Sequence, residues 1–221
     1  DEIASGHDRL IVAPTGSGKT MAAMLPLLDR CLRQKWDGMS ILYITPLRAL
    51  NRDVDRRLDE ITSAVGLTLG LRHGDTPQSE RNKHVRKPPN VMITTPETFQ
   101  LMFTGSRLRE LLRTVKAVVI DEVHEMAGGE RGWQLALGLS RLEAFKGSKI
   151  QKIGLSATVG NPEQVATWLS DEAEAIKAVA PRSTELSVDA IIQLPEDEIG
   201  SLELAISPRA HATLRGLADL I

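Results

Sequence analysis

The residues best suited to chemistry fall in two short runs. The first is Ala13-Pro14-Thr15-Gly16-Ser17-Gly18-Lys19-Thr20. Gly16 and Gly18 let backbone N–H groups approach phosphate oxygens at the start of a helix, where the helix dipole favours anions. Lys19 is placed to reach the β and γ phosphates, and Thr20 to put its hydroxyl on Mg²⁺. Ala13 stands where the general phosphate-loop pattern has glycine. The second run is Asp121-Glu122-Val123-His124, directly after the apolar stretch Val118-Val119-Ile120. A carboxylate at a buried strand end can hold Mg²⁺ through water, and one beside it can orient and deprotonate an attacking water. Asp121 takes the first role and Glu122 the second. An isolated acidic pair is usually solvated surface; at a strand end, downstream of a phosphate loop, it reads as NTP binding and hydrolysis. His124 is a candidate for passing information from the nucleotide to a lobe closing over it, against a plain packing role. In Ser156-Ala157-Thr158 the hydroxyls of Ser156 and Thr158 are candidates to bond the carboxylates near Asp121, against simple capping of a strand end.

These groups need elements to position them. Strands are expected at Arg9–Ala13, Ser40–Thr45, Thr68–Leu71, Val91–Thr94, Ala117–Asp121 and Lys152–Ser156. Several are near-continuous apolar runs, the mark of strands buried on both faces of a parallel sheet. Helical patterns lie between them. In Arg48–Ile61 the apolar residues Leu50, Val54, Leu58 and Ile61 share one face. Asn161-Pro162-Glu163-Gln164 reads as a helix start that goes on to bury Val165, Trp168 and Leu169. Pro26 should kink the helix after the phosphate loop. The class is α/β, a parallel β-sheet sandwiched between helices, with ligands beyond the carboxyl ends of the strands. Each motif follows a strand candidate, so all should gather on one rim.

Composition is that of a globular protein: 42% hydrophobic and 25% charged residues, with 3% aromatics leaving an aliphatic core. No apolar run is long enough for a membrane span. The single cysteine, Cys31, can form no internal disulfide, which suits an intracellular setting. The overall charge of −2 gives no evidence for a nucleic-acid partner. It is unevenly distributed, at +4 over residues 1–170 and −6 over 171–221. Near residue 180 the pattern changes too: Glu185–Leu194 suggests a strand, Pro195–Gly200 an acidic turn and His211–Ile221 a helix.

Taken together, APTGSGKT (13–20), TPLRAL (45–50), TTPE (94–97), DEVH (121–124) and SAT (156–158) resemble superfamily 2 helicases, in the order found in the first of their two RecA-like lobes. TPLRALNRD (45–53), DEVHEMAGGERGWQLALGLSRL (121–142) and GLSATVGNPEQVATWL (154–169) are most similar to the large helicase-related (Lhr) proteins. Ski2-like helicases share a similar RG-containing segment after the acidic box.

The resemblance implies a RecA-like P-loop NTPase lobe over residues 1–180, with 181–221 as linker and the truncated beginning of a second RecA-like lobe. It implies an ATP-driven motor, with ATP and Mg²⁺ as cofactors, moving on single-stranded nucleic acid, mainly DNA and 3′ to 5′ for Lhr-like members. Thr45, Pro46, Arg48, Thr95 and Pro96 would lie along the bound strand. His73-Gly74-Asp75 reads as a further backbone contact or as a plain turn, and the nearby basic stretch Arg81, Lys83, Arg86 and Lys87, which holds no aromatics, as a phosphate-attracting run or equally as a solvated face. Two features depart from the family pattern: no glutamine precedes the phosphate loop to contact adenine, and no second-lobe arginine motif appears by Ile221. Nucleotide binding with poor turnover is therefore expected of this chain. An RNA helicase or remodeller of the same superfamily is the nearest alternative. A binding module that uses ATP only for regulation is another.

Overall fold

In the computed structural model, residues 2–46, 52–157, 159–177, 194–204 and 207–212 are described. The chain divides into two compact units, Asp1–Val179 and Ala180–Ile221. In the first, the described residues build a sheet of seven strands: β1 (Arg9–Val12), β2 (Ile41–Ile44), β3 (Leu69–Arg72), β4 (Val91–Thr94), β5 (Ala117–Ile120), β6 (Gln151–Ser156) and β7 (Glu174–Lys177). Their order across the sheet is β3-β4-β2-β5-β6-β1-β7 and every pairing is parallel. Parallel neighbours need long crossovers, and the helices, among them α3 (Gln78–Arg86) and α5 (Ser106–Leu111), supply them.

The apolar runs are buried on both faces, so alternate residues feed two separate cores. Leu42, Ile44, Met92, Val118 and Ile120 point to one face, under α4 (Pro96–Met102), α7 (Glu130–Lys146) and α8 (Pro162–Leu169). Ile41, Tyr43, Ile93, Val119 and Leu155 point to the other, under α1 (Lys19–Arg33) and α2 (Arg52–Ala64). In α2, Leu58 is buried and Val54 and Ile61 pack beside it, as the spacing predicts; Leu50 lies outside the described residues. Pro26 sits within α1, which runs through it as one element. The Asn161 side chain accepts a hydrogen bond from the Gln164 N–H (3.1 Å), with Pro162 in the first turn. Leu169 of α8 is buried, whereas Val165 and Trp168 only partly enter the core.

Two features differ from expectation. Strand β7 pairs with β1 at the sheet edge, though its residues are intermediate or exposed. With no apolar run to announce it, only backbone pairing defines it. In the second unit, Pro195–Gly200 is no turn: it opens α9 (Pro195–Glu203). Proline fits the first helical position, and Glu196, Asp197 and Glu198 complement the positive end of the helix dipole. Asp197 also accepts the Leu194 N–H at 2.8 Å, half of a capping box, and contacts His211 Nδ1 at 2.7 Å. His211 and Ala212 are helical, while the rest of His211–Ile221 and the proposed strand before Leu194 lie outside the described residues.

The segment after the acidic run, α6 (Val123–Met126) followed by α7, turns so tightly that a Cβ on Gly132 would overlap the Met126 carbonyl. Gly132→Ala should therefore cost about 1–3 kcal/mol through forced displacement of packed backbone. Equilibrium denaturation measures it; an unchanged midpoint would mean the turn has slack.

Candidate active site

The phosphate loop leaves β1 and enters α1. Its start is pinned to β6, where the Ala13 N–H donates to the Ser156 carbonyl (3.1 Å), and its turn is closed by the Ser17 N–H on the Pro14 carbonyl (3.2 Å). Gly16 and Gly18 have φ of +74° and +89°, and a Cβ on either would meet open space. Backbone handedness, not crowding, therefore demands glycine at these two positions. No side chain caps α1 and no acid lies in its first turn, so its positive end faces the loop uncompensated. Lys19 is 8% exposed. Its ammonium donates to the carbonyls of Ala13 (2.7 Å) and Pro14 (3.3 Å), lying along the loop it would share with a phosphate.

Asp121 follows β5 with its backbone N–H on the Ile44 carbonyl (2.8 Å). One carboxylate oxygen accepts the Glu122 N–H (2.9 Å) and the other accepts the Tyr43 hydroxyl (2.6 Å). Glu122 is held in the left-handed region at φ +47°, which costs a non-glycine residue about 1–2 kcal/mol. Burial, and then the Asp121 carboxylate, push the Glu122 carboxyl above its ordinary range, while His124 and Lys19 pull it back. His124 Nδ1 is 3.4 Å from Glu122 Oε2, a close approach without hydrogen-bond geometry, so this buried nitrogen has no hydrogen-bond partner among the described residues. The Ser156 hydroxyl donates to the neighbouring Ala157 carbonyl (2.9 Å) rather than to the carboxylates. Thr158 lies outside the described residues.

The rest of the rim lies beyond β2, β4 and β3. There a cleft of about 650 Å³ is lined by Pro46, Gly74, Thr95, Glu97, Leu101 and Arg131, among others. Thr45 is buried, tied by its N–H to the Thr94 carbonyl, and its hydroxyl has no hydrogen-bond partner among the described residues. Thr95 caps α4 by accepting the Thr98 N–H (3.3 Å), with Pro96 in the first turn. Arg48 lies outside the described residues. Among the described residues, the carboxylates of Asp75, Glu97 and Glu125 line the cleft against one cation, Arg131, which Glu97 already holds at 2.6 Å. Burial opposes ionisation of Glu97, but its own N–H and Arg131 outweigh it and keep that carboxyl below the usual range.

The structure adds residues that spacing alone passed over. Tyr43 is a lone aromatic in an aliphatic strand, and that oddity was its only signal. Arg131 and Gly132 belong to the RG-containing segment: the arginine braces the TTPE loop through Glu97, and the glycine permits the turn into α7. Arg81 differs from its expected part in a phosphate-attracting stretch. It donates to the carbonyls of Thr76 (2.8 Å) and His73 (3.1 Å), and so fastens the His73–Thr76 turn.

No group of three or more His, Cys, Asp or Glu side chains fit to hold a metal occurs among the described residues. One hydroxyl, Thr20, and one carboxylate, Asp121, are a sparse oxygen set. That suits Mg²⁺, which keeps several waters and takes its remaining ligands from phosphates. No helix among the described residues is long and apolar enough to cross a membrane.

The DEAD/DEAH box helicase family matches residues 1–165. The chain is 40% identical to the Lhr helicase/probable uracil glycosylase of Mycolicibacterium smegmatis, over 91% of this chain and 14% of that protein. It is also 40% identical to the Lhr helicase/uracil glycosylase of Escherichia coli, over 96% of this chain and 15% of that protein. A solved structure of Mycobacterium smegmatis helicase Lhr bound to ssDNA and AMP-PNP superposes with a TM-score of 0.70 at 42% identity, covering 81% of this chain and 24% of that one. The chain thus spans about a seventh of the length of these curated relatives. With the phosphate loop and the acidic box on one rim of an all-parallel sheet, and with these likenesses, the chain belongs to the DEAD/DEAH box helicase family and resembles its Lhr members.

Proposed function

We propose that this chain is the ATP-binding lobe of an ATP-dependent helicase or translocase that moves on single-stranded DNA inside the cell. One observation carries the reading: strand order sorts the rim into two adjoining halves. The loops after β1, β6 and β5 hold the nucleotide residues, and those after β2, β4 and β3 hold the groups expected along a strand. A protein that only binds nucleotide has no need of the second half.

In this reading the loop Ala13–Thr20 cradles the phosphates through its backbone N–H groups, and Lys19 moves from its carbonyl partners onto them. Thr20 and Asp121 would hold Mg²⁺, Asp121 through water, and the ion would supply positive charge against that developing on the phosphate. Glu122 orients and deprotonates the attacking water, while His124, Ser156 and Thr158 couple nucleotide state to movement. Thr45, Pro46, Arg48, Thr95 and Pro96 lie along the strand. Arg131 is already paired with Glu97, so phosphates in the cleft would meet Arg48, backbone N–H groups and hydroxyls, which position without reading sequence. Residues 181–221 form the linker and the beginning of a second RecA-like lobe. DNA is favoured over RNA by the likeness to an Lhr protein solved with ssDNA.

Competition binding tests the reading. A labelled DNA single strand on this chain, in the presence of Mg²⁺ and a non-hydrolysable ATP analogue, should be displaced by unlabelled DNA at lower concentration than by the matching RNA. Better competition by RNA would move the assignment to the RNA helicase alternative. Absence of nucleotide binding would end it.

A further inference from the structure

Strand β2 lies at the division between the two halves of the rim, with β4 on one side and β5 on the other. It holds Asp121 twice. The Asp121 N–H donates to the Ile44 carbonyl (2.8 Å), and the Tyr43 hydroxyl donates to an Asp121 carboxylate oxygen (2.6 Å). Tyr43 has no exposed surface and sits among α1 side chains such as Met24 and Leu27, in the core on that face of the sheet. A buried phenol is satisfied only by its partner, so ring and carboxylate fix one another.

The carboxylate assigned to the metal is thus oriented by a side chain of the neighbouring strand, and the lone pairs not taken by the Tyr43 hydroxyl and the Glu122 N–H stay available to a cation or its waters.

We propose that Tyr43 is a positioning residue for Mg²⁺–nucleotide, holding the Asp121 carboxylate in place and fastening it to the strand that leads into Thr45–Pro46. This rests on reading the phosphate loop and acidic box as an Mg²⁺–nucleotide site. It predicts that the phenol oxygen governs the metal requirement for binding and not nucleotide affinity in general. It also gives the strand-side loop a mechanical route to the metal: a shift of Thr45–Pro46 along β2 carries the Asp121 carboxylate with it.

The test is Tyr43→Phe in this chain, followed by Mg²⁺ titration of a fluorescent non-hydrolysable ATP analogue. The Mg²⁺ concentration for half-maximal binding should rise about tenfold, the scale of one hydrogen bond to a charged group. Affinity in EDTA should stay within about twofold of wild type. General damage to the fold would weaken both alike. Equal Mg²⁺ midpoints in a folded variant overturn the proposal, as do parallel losses with and without metal. Tyr43 is the only tyrosine in the chain, so ζ-¹³C-tyrosine labelling gives a single resonance that reports on it in the wild type. That resonance should move more with Mg²⁺ and analogue together than with analogue in EDTA. If Tyr43→Phe does not fold, a resonance indifferent to Mg²⁺ overturns the proposal. Wild type that binds the analogue without any metal dependence would instead fail the underlying site assignment, and the two failures are thereby distinct.

Discussion

Lys19→Ala should weaken binding of a Mg²⁺–ATP analogue to this chain by about 10- to 100-fold, the range of a lost hydrogen bond to a charged group. The ammonium lies against the loop, on the carbonyls of Ala13 and Pro14, and is almost wholly buried. Little side-chain entropy remains to be lost when phosphate arrives, so most of the charge-assisted bond appears as affinity. The loop's shape does not depend on the lysine. It is set by the left-handed glycines and by the Ala13 bond to Ser156, so the variant should keep its melting temperature to within a few degrees. Fluorescence titration gives the affinity and thermal unfolding checks the fold. A loss below about threefold would mean that phosphate is held by backbone N–H groups alone.

How far all this was legible in the sequence varies with burial. The central strands were placed to within a residue or two, because a strand covered on both faces must be apolar throughout, as Ile41–Ile44 and Ala117–Ile120 are. Strand β7 escaped because an edge strand over exposed residues needs no such pattern. The opening of α9 was misread because Pro195 and the acids after it suit a turn as well as a helix N-terminus. What decides between them is the pair of contacts made by Asp197, with Leu194 and His211, and the second joins residues fourteen apart.

The site divides in the same way. The phosphate loop and acidic box are local in sequence, each a single turn at a strand end, and their place in the fold could be read from spacing. The Tyr43–Asp121 bond joins residues 78 apart, and the Glu97–Arg131 pair joins residues 34 apart. Neither leaves a mark in spacing. Arg81 shows the converse error: a cation in a basic run suggests phosphate, yet its donors close a turn of its own chain. Strand order was equally hidden. Six of the seven strands were foreseen, but not that β2 would stand between the two halves of the rim, which gives Tyr43 its place.

Glu122→Gln carries the largest expected effect on chemistry. As the proposed base, Glu122 should account for about 10²- to 10⁴-fold of turnover, whatever the absolute rate of this chain, with analogue binding retained. A chain that uses ATP only for regulation would show no change, so the substitution also separates the motor reading from a binding module. The pH dependence follows from the raised carboxyl. Only the ionised form accepts a proton, so turnover should rise with pH through a range above that of an ordinary glutamate. Stability should run the other way. A carboxyl whose folded-state pKa lies above its unfolded value of 4.5 stabilises the fold fully below 4.5 and loses that contribution as pH rises through the folded-state value. At neutral pH the wild type therefore bears the cost of a buried carboxylate beside Asp121, and glutamine removes it. Glu122→Gln should melt higher than wild type at pH 7, with the advantage shrinking to nothing near pH 4. The backbone strain at φ +47° is common to both side chains and cancels in the difference. Thermal unfolding across that pH range decides the matter even if turnover is too slow to measure. A variant that melts lower at pH 7 would show that the His124 and Lys19 charges outweigh burial, and that Glu122 is a stabilising ion-pair partner instead of a strained base.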